Sequence, residues 1–182
     1  MTVERYLHGL WSVVWLDRVA AATAEYGLYV CVLVLLAAWL RRRPSGILLP
    51  FAIGAVGAIA LDVIAGVVYH DQRPFVTLGV APLIPHGSDN GFPSDHSAAV
   101  AFIAVAALFI DAPLGILASI VAISLGIARL FCLLHSPIDV FAGWLVGAIP
   151  ALGAGLVWTQ VRRRSNYSST AREYWRSRGG RP

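Results

Sequence analysis

Lysine is absent from this 182-residue chain: all 14 basic side chains are arginine, set against ten acidic ones. Charge of either sign is scarce, at 13% of residues, where soluble domains carry about 25%. Apolar residues make up 58% and mean hydropathy is +0.70, which excludes an ordinary water-soluble globule. The net charge of +4 raises nucleic acid as a partner, but the arginines sit between apolar runs and form no basic face, so none is expected. Only two cysteines occur, Cys31 and Cys132, both inside apolar runs, so no disulfide framework is expected. The N-terminus lacks a clean apolar run with a small-residue cleavage site, because Glu4, Arg5 and His8 interrupt it.

What the chain has in abundance is long apolar runs. A span needs about 20 mostly apolar residues. Four runs qualify: 19–40 broken only by Glu25, 46–69 broken only by Asp62, 112–134 with Arg129 near its end, and 136–160 opening on Asp139. A fifth, 97–110, is short and reaches plausible length only if its helix begins at Ser94. The expectation is an all-α, polytopic bundle of about five spans. Ahead of it, Val3, Leu7, Leu10, Trp11 and Val14 follow helical spacing, as in a helix lying at the interface with Trp11 and Trp15 at headgroup level. A polar-ended lead-in to the first span is the alternative.

With five spans, Arg41–Arg43 and the segment 161–182 fall on one side and carry ten arginines. The other side holds Arg5, Arg18, Arg73 and Arg129. This asymmetry predicts that the Arg-rich ends are cytoplasmic and that the 70–93 and His135 connections face outward. Residues 1–160 read as one catalytic domain and 161–182 as a cytoplasmic Arg-rich tail.

The outward segments also collect the chemistry. His8, His70, His86 and His135 lie there and His96 borders them. Arg73-Pro74, Pro93-Ser94-Asp95-His96 and Arg129 through His135 to Asp139 share one end only if the short third run also crosses. Arginine forks match phosphate oxygens. A histidine acts as nucleophile when a carboxylate fixes its tautomer, and Asp139 stands four residues after His135. His96 is placed to protonate a leaving oxygen. The set suits phosphoryl transfer through a phosphohistidine without a cofactor or metal, since the clustered carboxylates of a magnesium site are missing. Ser94 reads as an N-cap, and Ser136-Pro137-Ile138-Asp139 as cap, proline and acid of another helix. Two helix N-termini then offer N–H groups to an anion. Taken singly, Asp139 reads equally as the closing acid of a capping box with Ser136.

These stretches resemble the three motifs of the type 2 phosphatidic acid phosphatase (PAP2) superfamily: Lys-x6-Arg-Pro, Pro-Ser-Gly-His and Ser-Arg-x5-His-x3-Asp. Arg73-Pro74, Pro93-Ser94-Asp95-His96 and Ala128-Arg129 through His135 to Asp139 match in spacing, with Asp95 and Ala128 as substitutions. The Asp95 variant is similar to the bacitracin-resistance type of undecaprenyl-pyrophosphate phosphatase. The motif's lysine falls at position 66, where this chain has Gly66, with His70 as a candidate stand-in. The resemblance implies that His135 attacks phosphorus, Asp139 orients it, His96 is the acid, and Arg73, Arg129 and Ser94 hold the phosphoryl group. Glu25 and Asp62 are expected roughly 10 Å deep, orienting Arg129 from behind or bonding a neighbouring backbone as protonated acids. Together these readings predict a phosphatase of lipid phosphates in a bacterial cytoplasmic membrane, with undecaprenyl diphosphate as preferred substrate. The rivals are a phosphatase of phosphatidylglycerol phosphate, phosphatidic acid or another prenyl phosphate, and a non-catalytic lipid transporter. The apolar composition excludes a soluble haloperoxidase. Oligomeric state is not readable.

Overall fold

The computed structural model describes residues 3–11 and 14–177, with the side chains of Tyr6 and of residues from 166 onward left undescribed. The described residues are helical apart from loops and one isolated antiparallel bridge between Gln72 and Asn90. The helices are α1 (Val3–His8), α2 (Val14–Arg42), α3 (Leu48–Val68), α4 (Pro74–Leu78), α5 (Asp95–Ile110), α6 (Ala112–Phe131) and α7 (Pro137–Ser177). Among them α2, α3, α6 and the 137–165 part of α7 are long and apolar enough to cross a membrane. At 16 residues α5 spans roughly 24 Å, short of the ~30 Å hydrocarbon core. It does start next to Ser94, as the sequence required.

The short helix is the axis of the bundle. It packs against α2, α3, α6 and α7, and its Ser97, Ala98, Val100, Ala101, Ala104, Ala106 and Ala107 are all buried. Lipid is as apolar as leucine, so helices in it associate through close backbone approach and small residues rather than exclusion from water. The alanines of α5 serve that purpose, and α7 answers with glycine. A Cβ at Gly143 would stand 2.5 Å from the Ser94 carbonyl oxygen, and one at Gly147 would overlap that of Ala98. This contact brings the starts of α5 and α7 side by side. At the far end one residue, Asp111, both ends α5 and caps α6, accepting from the Leu114 N–H at 3.4 Å.

Two expectations change in detail. Residues near the N-terminus form only the six-residue α1, and Ser12 and Val13 lie outside the described residues. Trp15 is exposed, whereas the Trp11 indole donates to the Phe131 carbonyl at 2.9 Å and so ties this segment to the end of α6. The helical trace of α7 continues without a break past residue 160, and residues 178–182 lie outside the described residues.

Candidate active site

The centre of the site is a turn. After α6 the chain reverses through Leu133, whose φ of 56° lies in the left-handed region, costing about 1 kcal/mol or more for a side chain with a Cβ. The Leu134 N–H bonds back to the Arg129 carbonyl at 3.1 Å, which closes the helix end. Leu133 and Leu134 are fully buried in a cluster with Phe75, Phe131 and Ala128. That burial holds the turn and aims His135 inward, where it is 3% exposed. Phe75 belongs to α4, and its N–H donates to the Leu133 carbonyl at 3.1 Å. The same docking fixes Arg73, which sits at the N-cap of α4.

Two guanidiniums meet one imidazole nitrogen. His135 Nε2 lies 3.1 Å from Arg129 Nη2 and 3.4 Å from Arg73 Nη1. Its Nδ1 lies 2.8 Å from the Gly91 carbonyl oxygen. Only one tautomer satisfies all three: Nδ1 carries the proton and donates to Gly91, leaving the Nε2 lone pair between the arginines. Burial pushes the His135 imidazole below its ordinary value, and Arg129 and Arg73 add to this. Asp139 and the Gly91 carbonyl oppose the shift.

Arg73 is pinned by Leu134 O at 3.0 Å, Asn90 O at 3.2 Å and the Asp89 carboxylate at 3.1 Å. That hydrogen bond holds the exposed Asp89 carboxyl below the usual carboxylate range. Arg129, 4% exposed, also approaches His86 Nε2 at 3.4 Å, and its Nε is buried with no partner. A buried donor without an acceptor is a place for one to arrive. Burial and the two arginines push His86 down.

The other expected residues border this centre. Ser94 is fully buried; its Oγ accepts from the Ser97 N–H at 3.4 Å and the Ser97 hydroxyl at 3.0 Å, which leaves its own O–H to donate. His96, half-buried on the first turn of α5, lies within range of the charges of Arg129 and His135. Asp139 does two things. Its Oδ2 accepts the Ser136 N–H at 2.7 Å, and its own N–H reaches Ser136 Oγ at 3.5 Å, so the capping box is formed. The same Oδ2 stands 3.7 Å from His135 Nδ1, so its influence on the imidazole is one of charge. The hydrogen bond that selects the tautomer comes from Gly91.

Three expected supports lie elsewhere. Glu25 and His70 are exposed and make no side-chain hydrogen bond among the described residues, so neither is bonded to Arg129. Asp62 faces Asp95 across a groove of about 360 Å³ between α3 and α5, rather than Arg129, and its Oδ1 is buried and unpartnered. At position 66 a Cβ would lie 3.2 Å from the Phe92 carbonyl oxygen, so α3 passes tightly beneath the loop there.

Sequence reasoning missed the residue that shapes this loop. The Asn90 amide donates to the Gly66 and Tyr69 carbonyls at 2.9 and 3.1 Å and accepts from the Asp71 and Phe92 N–H groups, both at 3.0 Å. It thereby staples the loop to the end of α3 and presents Gly91 to His135. Polarity was its only signal.

A bundle of apolar helices with one end closed over paired buried arginines and a neutral histidine defines a multi-pass membrane protein with an anion-receptive polar centre. Comparison with known proteins sharpens this. The PAP2 superfamily model matches residues 45–165. Undecaprenyl-diphosphatase BcrC of Bacillus subtilis is 32% identical over 136 residues, covering 74% of this chain and 70% of that protein. The bacitracin transport permease protein BcrC of Bacillus licheniformis is 36% identical over 140 residues, covering 75% and 69%. A solved transmembrane PAP2-type phosphatidylglycerolphosphate phosphatase from Bacillus subtilis superposes with a TM-score of 0.56 at 20% identity, over 82% of this chain and 78% of that one. The chain belongs to the PAP2 superfamily, and it is a membrane lipid phosphatase, a hydrolase of that family.

Proposed function

We propose that this enzyme converts a polyprenyl diphosphate, undecaprenyl diphosphate, to the monophosphate on the extracytoplasmic face of a bacterial cytoplasmic membrane, through a phosphohistidine at His135. The carrying observation is the Nε2 lone pair of a buried imidazole held between Arg73 and Arg129. In the proposed reaction Nε2 attacks the terminal phosphorus as the bond to the bridging oxygen breaks. His96 gives that oxygen a proton. Water then attacks phosphorus, His96 takes back a proton, the P–N bond breaks and inorganic phosphate leaves. Arg73, Arg129 with its unpartnered Nε, and the Ser94 hydroxyl neutralise the charge that gathers on the equatorial oxygens. Asp139 keeps the imidazolium character that develops at His135 close to a carboxylate. No metal or cofactor is required by this scheme.

The diphosphate substrate rests on the names of the curated relatives, which include an undecaprenyl-diphosphatase of Sulfolobus acidocaldarius, 34% identical over 131 residues. The outward orientation rests on the arginine asymmetry, with the C-terminus cytoplasmic. Residues 1–160 would then be the catalytic domain and 161–182 its cytoplasmic extension. Parallel assays of phosphate release from purified undecaprenyl diphosphate, phosphatidylglycerol phosphate and phosphatidic acid test the substrate. The diphosphate should give the highest kcat/KM; a monophosphate lipid turned over faster would replace it, and no turnover of any would favour a transporter.

A pH profile follows from the burial of His135. The nucleophile acts as neutral imidazole, and its pKa is lowered, so it becomes protonated only at pH below the ordinary histidine value of about 6.5. The acid limb of kcat/KM should therefore fall below pH ~6.5. An Asp139→Asn variant loses the group that opposes the shift, so its acid limb should move further down. An acid limb in Asp139→Asn that stays put or moves up would contradict that assignment.

A further inference from the structure

At the opposite end of α5 from His96 lies a second polar feature that the reaction does not use. The loop from Arg43 to Ile47 crosses over the end of α5 beside α7, and beneath it opens a cavity of about 380 Å³. Arg42, Arg43 and Arg162 line it, together with Trp158 and Ile110, and among the described residues no carboxylate does. The nearest acid, the buried Asp111, already accepts from Arg42 at 2.7 Å and pairs with Arg41 at 3.5 Å. Arg43 and Arg162 have no acidic partner in this set. Each is held over an indole instead, Arg43 at 5.2 Å from the Trp39 ring and Arg162 at 5.5 Å from the Trp158 ring. The Trp158 indole N–H in turn donates to the Ser45 carbonyl at 3.0 Å, which fixes both the ring and the loop. Aromatic faces hold both guanidiniums and the Leu40 carbonyl takes Arg43 Nε at 3.1 Å, while their other donors have no hydrogen-bond partner among the described residues.

On the other side of Ile110, which lines both, runs a groove of about 510 Å³ between α2, α3 and α5. Its walls are apolar, among them Val32, Leu36, Phe51 and Phe102, and Trp39 lines it too. The combination has the outline of one amphipathic molecule: a phosphate among arginines and a hydrocarbon chain in the adjoining groove. Arginine-lined pockets between membrane helices suit anionic head groups, and charge complementarity with the unmatched arginines selects the occupant.

We propose that this pocket binds one anionic phospholipid, its phosphodiester held by Arg42, Arg43 and Arg162 and an acyl chain in the α2–α3–α5 groove, in the leaflet opposite the catalytic histidines. The site is separate from the substrate site, since the length of α5, roughly 24 Å, divides them.

Native mass spectrometry of the full-length protein in detergent, with phosphatidylglycerol and phosphatidylcholine of matched chains, tests it. The wild type should retain phosphatidylglycerol preferentially, and glycerophosphate or inorganic phosphate should not displace it. Each basic residue near a phosphate contributes about fivefold, so R43Q/R162Q should lower retention by roughly 25-fold. R163Q/R164Q removes the same charge from the same helical stretch without touching the pocket, and should retain the lipid. Equal loss in the two double variants would overturn the site and leave only general attraction to the arginines. Equal retention of both lipids by wild type would overturn it as well. A second readout needs no variant: in vesicles, phosphatidylglycerol with brominated chains should quench tryptophan fluorescence more than brominated phosphatidylcholine, through Trp39 and Trp158. Equal quenching contradicts the proposal.

Discussion

His135→Ala is expected to release no measurable phosphate from any lipid substrate, a loss on the order of 10⁴-fold or more, because removing a covalent nucleophile removes the pathway itself. The imidazole is the one group whose lone pair meets both guanidiniums, at 3.1 and 3.4 Å. Among the described histidines only His135 meets both guanidiniums; of the two, His86 Nε2 reaches Arg129 alone. The variant should still fold, since Leu133 and Leu134 carry the burial of the turn. It should also still bind lipid phosphate, with Kd little changed, because Arg73 and Arg129 remain. Retained binding with lost turnover separates a chemical role from a structural one. Turnover within tenfold of wild type would remove His135 from the role of nucleophile.

His96→Ala carries the second large effect. A positioned acid or base contributes typically 10² to 10⁴-fold, and here one residue serves both half-reactions. The two halves are not affected equally. A diphosphate lipid leaves as a phosphate monoester, a better leaving group than the alkoxide of a monophosphate lipid, so transfer to His135 suffers less with the diphosphate. Hydrolysis of the phosphohistidine needs the base in every case. With undecaprenyl diphosphate the variant should therefore show a burst of lipid monophosphate near one equivalent per enzyme, followed by slow turnover. With a monophosphate lipid the burst should be absent. His96 is half-buried within range of the charges of Arg129 and His135, and its removal disturbs no described hydrogen bond.

How far the sequence foretold this site depends on which physical rule governed each residue. Spans, caps and the shared end for Arg73, His96, Arg129 and His135 follow from hydropathy, helix starts and alternation across the membrane, all local or additive signals. The short α5 was legible for the same reason: Ser94 is a cap, and the alanines behind it allow close packing. Three features were not legible. The tautomer of His135 is set by Gly91, 44 residues away, through a backbone carbonyl that has no side-chain signature. The loop that delivers it is held by Asn90, an amide indistinguishable in sequence from any other polar loop residue. For Asp62 and Glu25, rotation about the helix axis was not read. Asp62 turns to Asp95 across α3 and α5, and Glu25 turns outward. In a chain this apolar, hydrophobic periodicity is too weak to fix that rotation, because lipid-facing and protein-facing sides look alike.

The measurement closest to the central claim is the covalent state of the enzyme during turnover. His96→Ala should be mixed with undecaprenyl diphosphate labelled in its terminal phosphate and quenched in alkali, where phosphohistidine survives. Peptide mass spectrometry then locates the label. The account predicts one phosphoryl group per enzyme, on the peptide containing His135, lost on acidification and absent from His135→Ala. A stoichiometric phosphoryl group on another residue, or a burst of lipid monophosphate with no phosphorylated enzyme, would contradict it.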